Sequence, residues 1–220
     1  MPRMPETPLP TLLLTIVEAL ATLAFGLSGL LEAARKRLDA VGVCVVAGLT
    51  AFGGGTLRDV LLDRRPFFWV ERANWLWVLL ALCLAAMFVL RTRHFQPTER
   101  AMQWPDAMGL GLFCGSGTQL ALAHGLPAIA AVLMGVVTAA FGGVLRDIVV
   151  NEIPRAFKDR QPYAVCAFAG GWVVVGADAA GLPAGLSLLA GAAVATTLRL
   201  AAMLSGARLP HWSARIGPPG

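Results

Sequence analysis

Two Arg-Asp dipeptides, Arg58-Asp59 and Arg146-Asp147, stand inside apolar stretches of this 220-residue chain. An ionised side chain at membrane depth is costly, and it normally faces a partner or a water-filled cavity. Each dipeptide follows a glycine cluster: Gly53, Gly54 and Gly55 before the first, Gly142 and Gly143 before the second. Two more acids, Glu18 and Asp106, and four hydroxyls, Ser28, Ser116, Thr50 and Thr138, lie in neighbouring apolar segments. Such groups can pair charges, hold an ion in passage or satisfy freed backbone carbonyls. Bond-making chemistry is poorly supported. There is no nucleophile elbow, phosphate loop or metal-ligand cluster, and His94, His124 and His211 are scattered over loops and the tail. Cys44, Cys83, Cys114 and Cys166 all lie in apolar segments without a Cys-x-x-Cys pair and read as small buried hydrophobes. No catalytic residue and no resident metal are expected.

The elements that must carry these groups are membrane helices. The chain is 57% hydrophobic and 14% charged, with mean hydropathy +0.68; a soluble domain carries about 25% charged residues. Seven spans are predicted, at roughly 9–31, 39–62, 73–90, 104–122, 127–150, 162–180 and 184–204, each long enough to cross a core of ~30 Å. Charges at 32–37 and 91–93, Pro66, Pro127, Pro154, Pro162 and Pro183 mark their ends. The first span is too long for the apolar region of a cleaved signal peptide, and it contains Glu18. Residues 1–205 then form one transmembrane domain, and 206–220 a flexible cytoplasmic tail.

Orientation follows from Lys and Arg. One side holds eleven: Arg35, Lys36, Arg37, Arg91, Arg93, Arg100, Arg155, Lys158, Arg160, Arg208 and Arg215. The other holds four: Arg3, Arg64, Arg65 and Arg72. Positive charge is retained inside, so the N-terminus is expected outside and the C-terminus in the cytoplasm. The net charge of +5 is explained by these loops rather than by nucleic acid. Arg199 reads as an anchor near the cytoplasmic face. Trp69, Trp75, Trp77, Trp104 and Trp212 read as interfacial belt residues.

The chain repeats itself. TAFGGGTLRD at 50–59 and TAAFGGVLRD at 138–147 match at seven of ten positions with an offset of 88. The same offset carries Pro66 onto Pro154, Glu18-Ala19 onto Asp106-Ala107, Phe25 onto Phe113 and Ser28-Gly29 onto Ser116-Gly117. Repeat one covers about 9–90 and repeat two about 104–180; the helix at 184–204 has no mate. Three spans per unit is an odd number, so the copies must insert in opposite directions. Transport proteins often use this plan, with sites at the repeat interface on interrupted helices.

Clustered glycines permit a kink or an unwound turn, or else close helix approach. An unwound turn frees carbonyls that can ligate a cation. Straight helices would put Arg58 ~11 Å outward of its span's centre and Arg146 ~11 Å inward. Adjacent residues do not share a helix face, so each Arg and Asp is expected to find partners elsewhere. Snorkelling to the headgroups is the competing reading for the arginines. Asp106, nearer a span end than Glu18, is equally readable as an interfacial residue.

At these duplicated glycine and Arg-Asp helices the sequence resembles the prokaryotic trimeric intracellular cation channels. They belong to a wider family of small bacterial membrane proteins, some described as glycine transporters. The resemblance covers residues 10–204 and rests on GGGTLRD and FGGVLRD. It implies a homotrimer in a bacterial inner or archaeal plasma membrane, with one pore per subunit. The second and fifth helices would line an hourglass path for K+ and Na+. Gly53, Gly54, Gly55, Gly142 and Gly143 would be the kinks, and Arg58, Asp59, Arg146 and Asp147 polar residues of the pore. Phe141 stands where a first glycine would be in repeat two, which implies a milder kink there. No cofactor is implied beyond the permeant ion and bound lipid. A carrier of a small neutral solute such as glycine is the alternative.

Overall fold

The computed structural model describes residues 11–93, 98–157 and 161–210. It is all-helical: α1 Thr11–Arg35, α2 Ala40–Leu61, α3 Phe68–Glu71, α4 Asn74–Arg93, α5 Glu99–Ala123, α6 Ala128–Val149, α7 Ala164–Ala179 and α8 Ala184–Ser205. Four stretches, Leu12–Arg35, Ala40–Leu61, Ala128–Val149 and Ala184–Ser205, are each long and apolar enough to cross a membrane. The chain is a multi-pass membrane protein.

Local chemistry sets the ends. Asp39 caps α2 by accepting from the Gly42 amide at 2.8 Å, and Thr98 caps α5 by accepting from Ala101 at 3.2 Å. The Thr98 cap starts α5 five residues before the expected span. α1 runs on to Arg35 because Glu32 and Arg35 pair one turn apart on the same helix, at 2.6 Å. α7 is shorter than the span expected at 162–180. The loop after α2 contains the four-residue α3, which hydrophobic periodicity did not reveal. Most of the expected tail, with His211, Trp212 and Arg215, lies outside the described residues, as do Arg3, His94, Lys158 and Arg160.

Helices with the same place in each repeat pack on one another: α1 on α5 and α2 on α6. At their centre Phe25 and Phe113, which the offset of 88 relates, stack with ring centroids 5.6 Å apart. α2 and α6 cross reciprocally. A Cβ on Gly54 would collide with the Thr138 carbonyl oxygen, and one on Gly142 with the Thr50 carbonyl oxygen. The absence of side chains at these two positions is what lets the backbones meet.

α8 packs on α5 and α7. Its seat is made of glycine: a Cβ on Gly111 or Gly115 would strike the carbonyls of Ala192 or Leu188 at 2.5 Å, and one on Gly170 that of Gly191 at 2.6 Å. The offset of 88 places Leu23, Leu27 and Leu82 at the corresponding positions of repeat one. Leu23 and Leu27 are exposed there. The bulk of three leucines denies repeat one the same close approach, which explains why the extra helix joins only one half.

Candidate functional site: two buried charge clusters

The first cluster joins α1 to the end of α2. Arg58 and Glu18 are fully buried, and Arg58 Nη1 meets Glu18 Oε1 at 2.8 Å. Arg58 Nη2 and Nε both reach Asp59 Oδ1, at 2.8 and 2.9 Å. The other Asp59 oxygen accepts from the backbone amide of Phe68 at 2.7 Å, tying the loop after α2 to the cluster. Arg64 and Arg72 close the rim. Arg64 lies 3.8 Å from Glu18 and 3.6 Å from Asp59; Arg72 lies 3.4 Å from Glu18 and donates to Thr15 at 2.6 Å.

The second cluster repeats the design on α5 and α6. Arg146 donates to Asp106 Oδ1 at 2.6 Å and to Asp147 Oδ1 at 2.8 Å. The other Asp147 oxygen accepts from the backbone amide of Arg155 at 2.9 Å. Ser28 joins from α1, accepting from Arg146 at 2.7 Å. The Tyr163 hydroxyl is adjacent: a Cβ on Gly143 would lie 3.2 Å from it and 3.7 Å from Asp106 Oδ1. Beyond Asp147 is a polar cavity of about 130 Å³ lined by Glu32, Arg35, Glu99, Glu152, Ile153 and Arg155. The Arg155 guanidinium bridges Glu32 and Glu99 there, at 3.6 and 3.5 Å, and Lys36 pairs with Glu152.

Several sequence expectations change. The two arginines do not snorkel; both are buried at the bundle's interior. The arginines do find partners elsewhere, at Glu18 and Asp106, but Arg and Asp of one dipeptide pair as well, because each dipeptide falls in a last turn, where the long guanidinium side chain bends round to its neighbour. Asp106 is buried, not interfacial. Arg199 is buried too, donating to the Pro162 carbonyl at 3.0 Å and lying over the Tyr163 ring. α2 and α6 continue as α-helix through both glycine clusters, with no unwound turn and no freed carbonyls. Thr50 and Thr138 instead donate to their own helices, at the Val46 and Met134 carbonyls. Ser116 donates to the Phe113 carbonyl of its own helix, at 3.4 Å. Gly53 lines an apolar cavity of about 400 Å³ with Phe52, Phe141 and Leu145. Trp77 and Trp104 are exposed, whereas Trp69 and Trp75 pack against the core.

Sequence reasoning missed Phe68, Arg155 and Tyr163. Arg64, Arg72 and Arg155 were visible only as loop charges, and nothing in their spacing announces a partner. One signal was present: any residue that the buried carboxylates of Asp59 and Asp147 could cap must lie in the loop that follows.

Fold and site together define a multi-pass membrane protein with a buried, duplicated set of charges on crossing helices. The sequence model of the family described as "Glycine transporter" matches this chain twice, over residues 15–92 and 103–179. The chain belongs to that family. The two matches begin 88 residues apart, the same offset as the internal repeat. A relative from Vibrio cholerae, described as a UPF0126 membrane protein, is 36% identical, with 94% of this chain and 86% of the relative covered. A solved structure of a trimeric intracellular cation channel orthologue from Rhodobacter sphaeroides is 35% identical and superposes with a TM-score of 0.80, covering 88% of this chain and 98% of that one. A second structure, described in terms of conductance through such channels, gives 32% identity and a TM-score of 0.81, covering 92% and 98%.

Proposed function

We propose that this chain is a channel for monovalent cations, K+ and Na+, conducting within each subunit of a homotrimer. The observation that carries this reading is the superposition on two cation-channel structures over 88% and 92% of the chain. The path runs along the crossing of α2 and α6, past Gly53, Gly54, Gly55, Gly142 and Gly143, between the two charge clusters. Seven helices, all but α3, span the bilayer, with the repeats inverted, the N-terminus outside and the C-terminus in the cytoplasm. The first cluster is then the outer one and the second the inner.

Electrostatics agrees with this reading. An arginine in a narrow passage repels a cation strongly at low dielectric. Here each is held between two carboxylates, Glu18 and Asp59 or Asp106 and Asp147. The Asp106–Arg146–Asp147 triad therefore carries one net negative charge, whereas Arg64 and Arg72 bring further positive charge to the rim of the Glu18–Arg58–Asp59 triad. Phe25 and Phe113 are fully buried and stack on one another between α1 and α5, so a path that passes them requires them to rearrange.

A carrier of a small zwitterion such as glycine is the second reading, favoured by the description of the family whose model matches. Arg146 and Asp106 would then hold the carboxylate and ammonium groups. Reconstitution in planar bilayers separates the two. Unitary K+ currents are expected; saturable glycine counterflow without current would overturn the channel in favour of the carrier.

A further inference from the structure

The two halves differ at one point that the repeat makes conspicuous. In the first half the loop after α2 turns back into the bundle and inserts Phe68, which is fully buried. Its amide is held by Asp59 at 2.7 Å. Its ring lies 5.3 Å from the Arg58 guanidinium carbon and meets Phe52, Trp75 and Phe113 at 6.1, 6.0 and 6.3 Å. It rests on Gly55, where a Cβ would come within 3.0 Å of three ring carbons. One side chain thus reaches from the loop to Phe113, the central stacked ring. In the second half the offset of 88 puts Ala156 at this position, and the amide held by Asp147 is that of Arg155. At Arg146 the neighbouring aromatic is instead Tyr163, at the start of α7, which presents its hydroxyl rather than a bare ring to the Gly143 position, and the polar cavity beside Glu32, Glu99 and Arg155 extends to Asp147. Glu18, Arg58 and Asp59 are each 0% exposed.

We propose that Phe68 is the outer gate of the conduction path, a hydrophobic plug on the α2–α4 loop that must withdraw before a cation can reach the Glu18–Arg58–Asp59 cluster. This rests on the channel reading above. At the inner cluster the corresponding place is taken by the Tyr163 hydroxyl, a polar group, so the purely hydrophobic cover is on the outer side although the charges are duplicated. The device is local. The ring is carried by a connection of a dozen residues rather than by a spanning helix, so it can leave without unpacking α2 from α6. Gly55 provides the socket, since any side chain there would displace the ring. The hydrogen bond from the Phe68 amide to Asp59 couples the plug to the charge it covers. A cation drawn to Asp59 competes for the oxygen that holds the loop closed.

The test uses full-length protein without its four cysteines, carrying Ala51→Cys. Ala51 is buried one turn from Gly55, on the same helix face. Phe68→Ala, Phe68→Leu and Ala156→Phe are compared with this parent in bilayers, and labelled with a membrane-impermeant cationic thiol reagent added from outside. Phe68→Ala should raise open probability by roughly threefold to tenfold, the population change that losing one or two ring contacts permits, and the introduced thiol should become reactive. Phe68→Leu should do so to a lesser degree; it also keeps the test valid if the alanine variant does not fold. Ala156→Phe should lower open probability without changing outside labelling. Folded Phe68 variants with the parent's open probability and an inert introduced thiol would overturn the gate. If the parent carries no current at all, the channel reading fails, and labelling of that thiol alone decides whether Phe68 guards access to the cluster.

Discussion

Removing the positive charge from each cluster should destabilise the two halves unequally. Arg146→Gln leaves Asp106 and Asp147 buried with no guanidinium within 4 Å among the ion pairs described; what remains is neutral, Ser28, the nearby Tyr163 hydroxyl and the Arg155 amide. Breaking a buried pair by deleting one partner costs about 3–5 kcal/mol, because the orphaned charge keeps its desolvation penalty. For a chain of this length that is on the order of 10 °C in Tm. Arg58→Gln exposes Glu18 and Asp59 to the same loss, but Arg64 and Arg72 already lie 3.4–3.8 Å from those carboxylates. Its cost should fall below that of Arg146→Gln by about 1 kcal/mol or more. Thermal unfolding of the purified protein, followed by loss of the folded oligomer, measures both. Asp106→Asn added to Arg146→Gln should restore part of the loss, since the charge left behind is then removed. Under the channel reading each single variant that folds should also raise cation conductance, because its cluster becomes more negative. Equal costs for the two arginines would refute the compensation by Arg64 and Arg72, and no cost for either would refute the ion-pair argument and reduce both to passive residues.

Gly54→Ala should prevent α2 and α6 from packing, with loss of folded protein on a gel-filtration column, because its Cβ would occupy the place of the Thr138 carbonyl. Gly48→Ala, on the same helix with nothing within 4 Å of its Cβ, should leave Tm unchanged or raise it, the gain being up to about 1 kcal/mol from helix propensity. Gly111→Leu, which copies Leu23 of repeat one, should detach α8, read as new proteolytic cleavage at the 180–183 turn. A reporter fused after Gly220 should be active only as a cytoplasmic reporter; activity of one that requires export would invert the proposed topology.

Much of this protein was legible in its sequence. Hydrophobic length located the helices to within a few residues, because a bilayer demands some twenty apolar residues per crossing. The single offset of 88 linked Glu18 to Asp106, Arg58 to Arg146 and Asp59 to Asp147, and those are the residues the structure gathers into two clusters. A repeat preserves the chemistry of a position, so equivalence can be read without coordinates. Contact cannot. Arg58 meets both a distant helix, at Glu18, and its own neighbour Asp59; spacing rules for mid-helix positions anticipated the distant partner and missed the adjacent one, which side-chain reach at a helix end allows. Glycine clusters are compatible with an unwound turn or with two backbones in contact, and only the crossing partner, Thr138 over Gly54 and Thr50 over Gly142, decided between them. The seat of α8 was likewise hidden, since a glycine facing a helix and a glycine facing lipid look alike in a linear text. Phe68 is the clearest case. An aromatic in a short loop after Pro66 reads as an interfacial residue, and its burial under Arg58 arises from a chain reversal that no periodicity encodes, held by one hydrogen bond to Asp59.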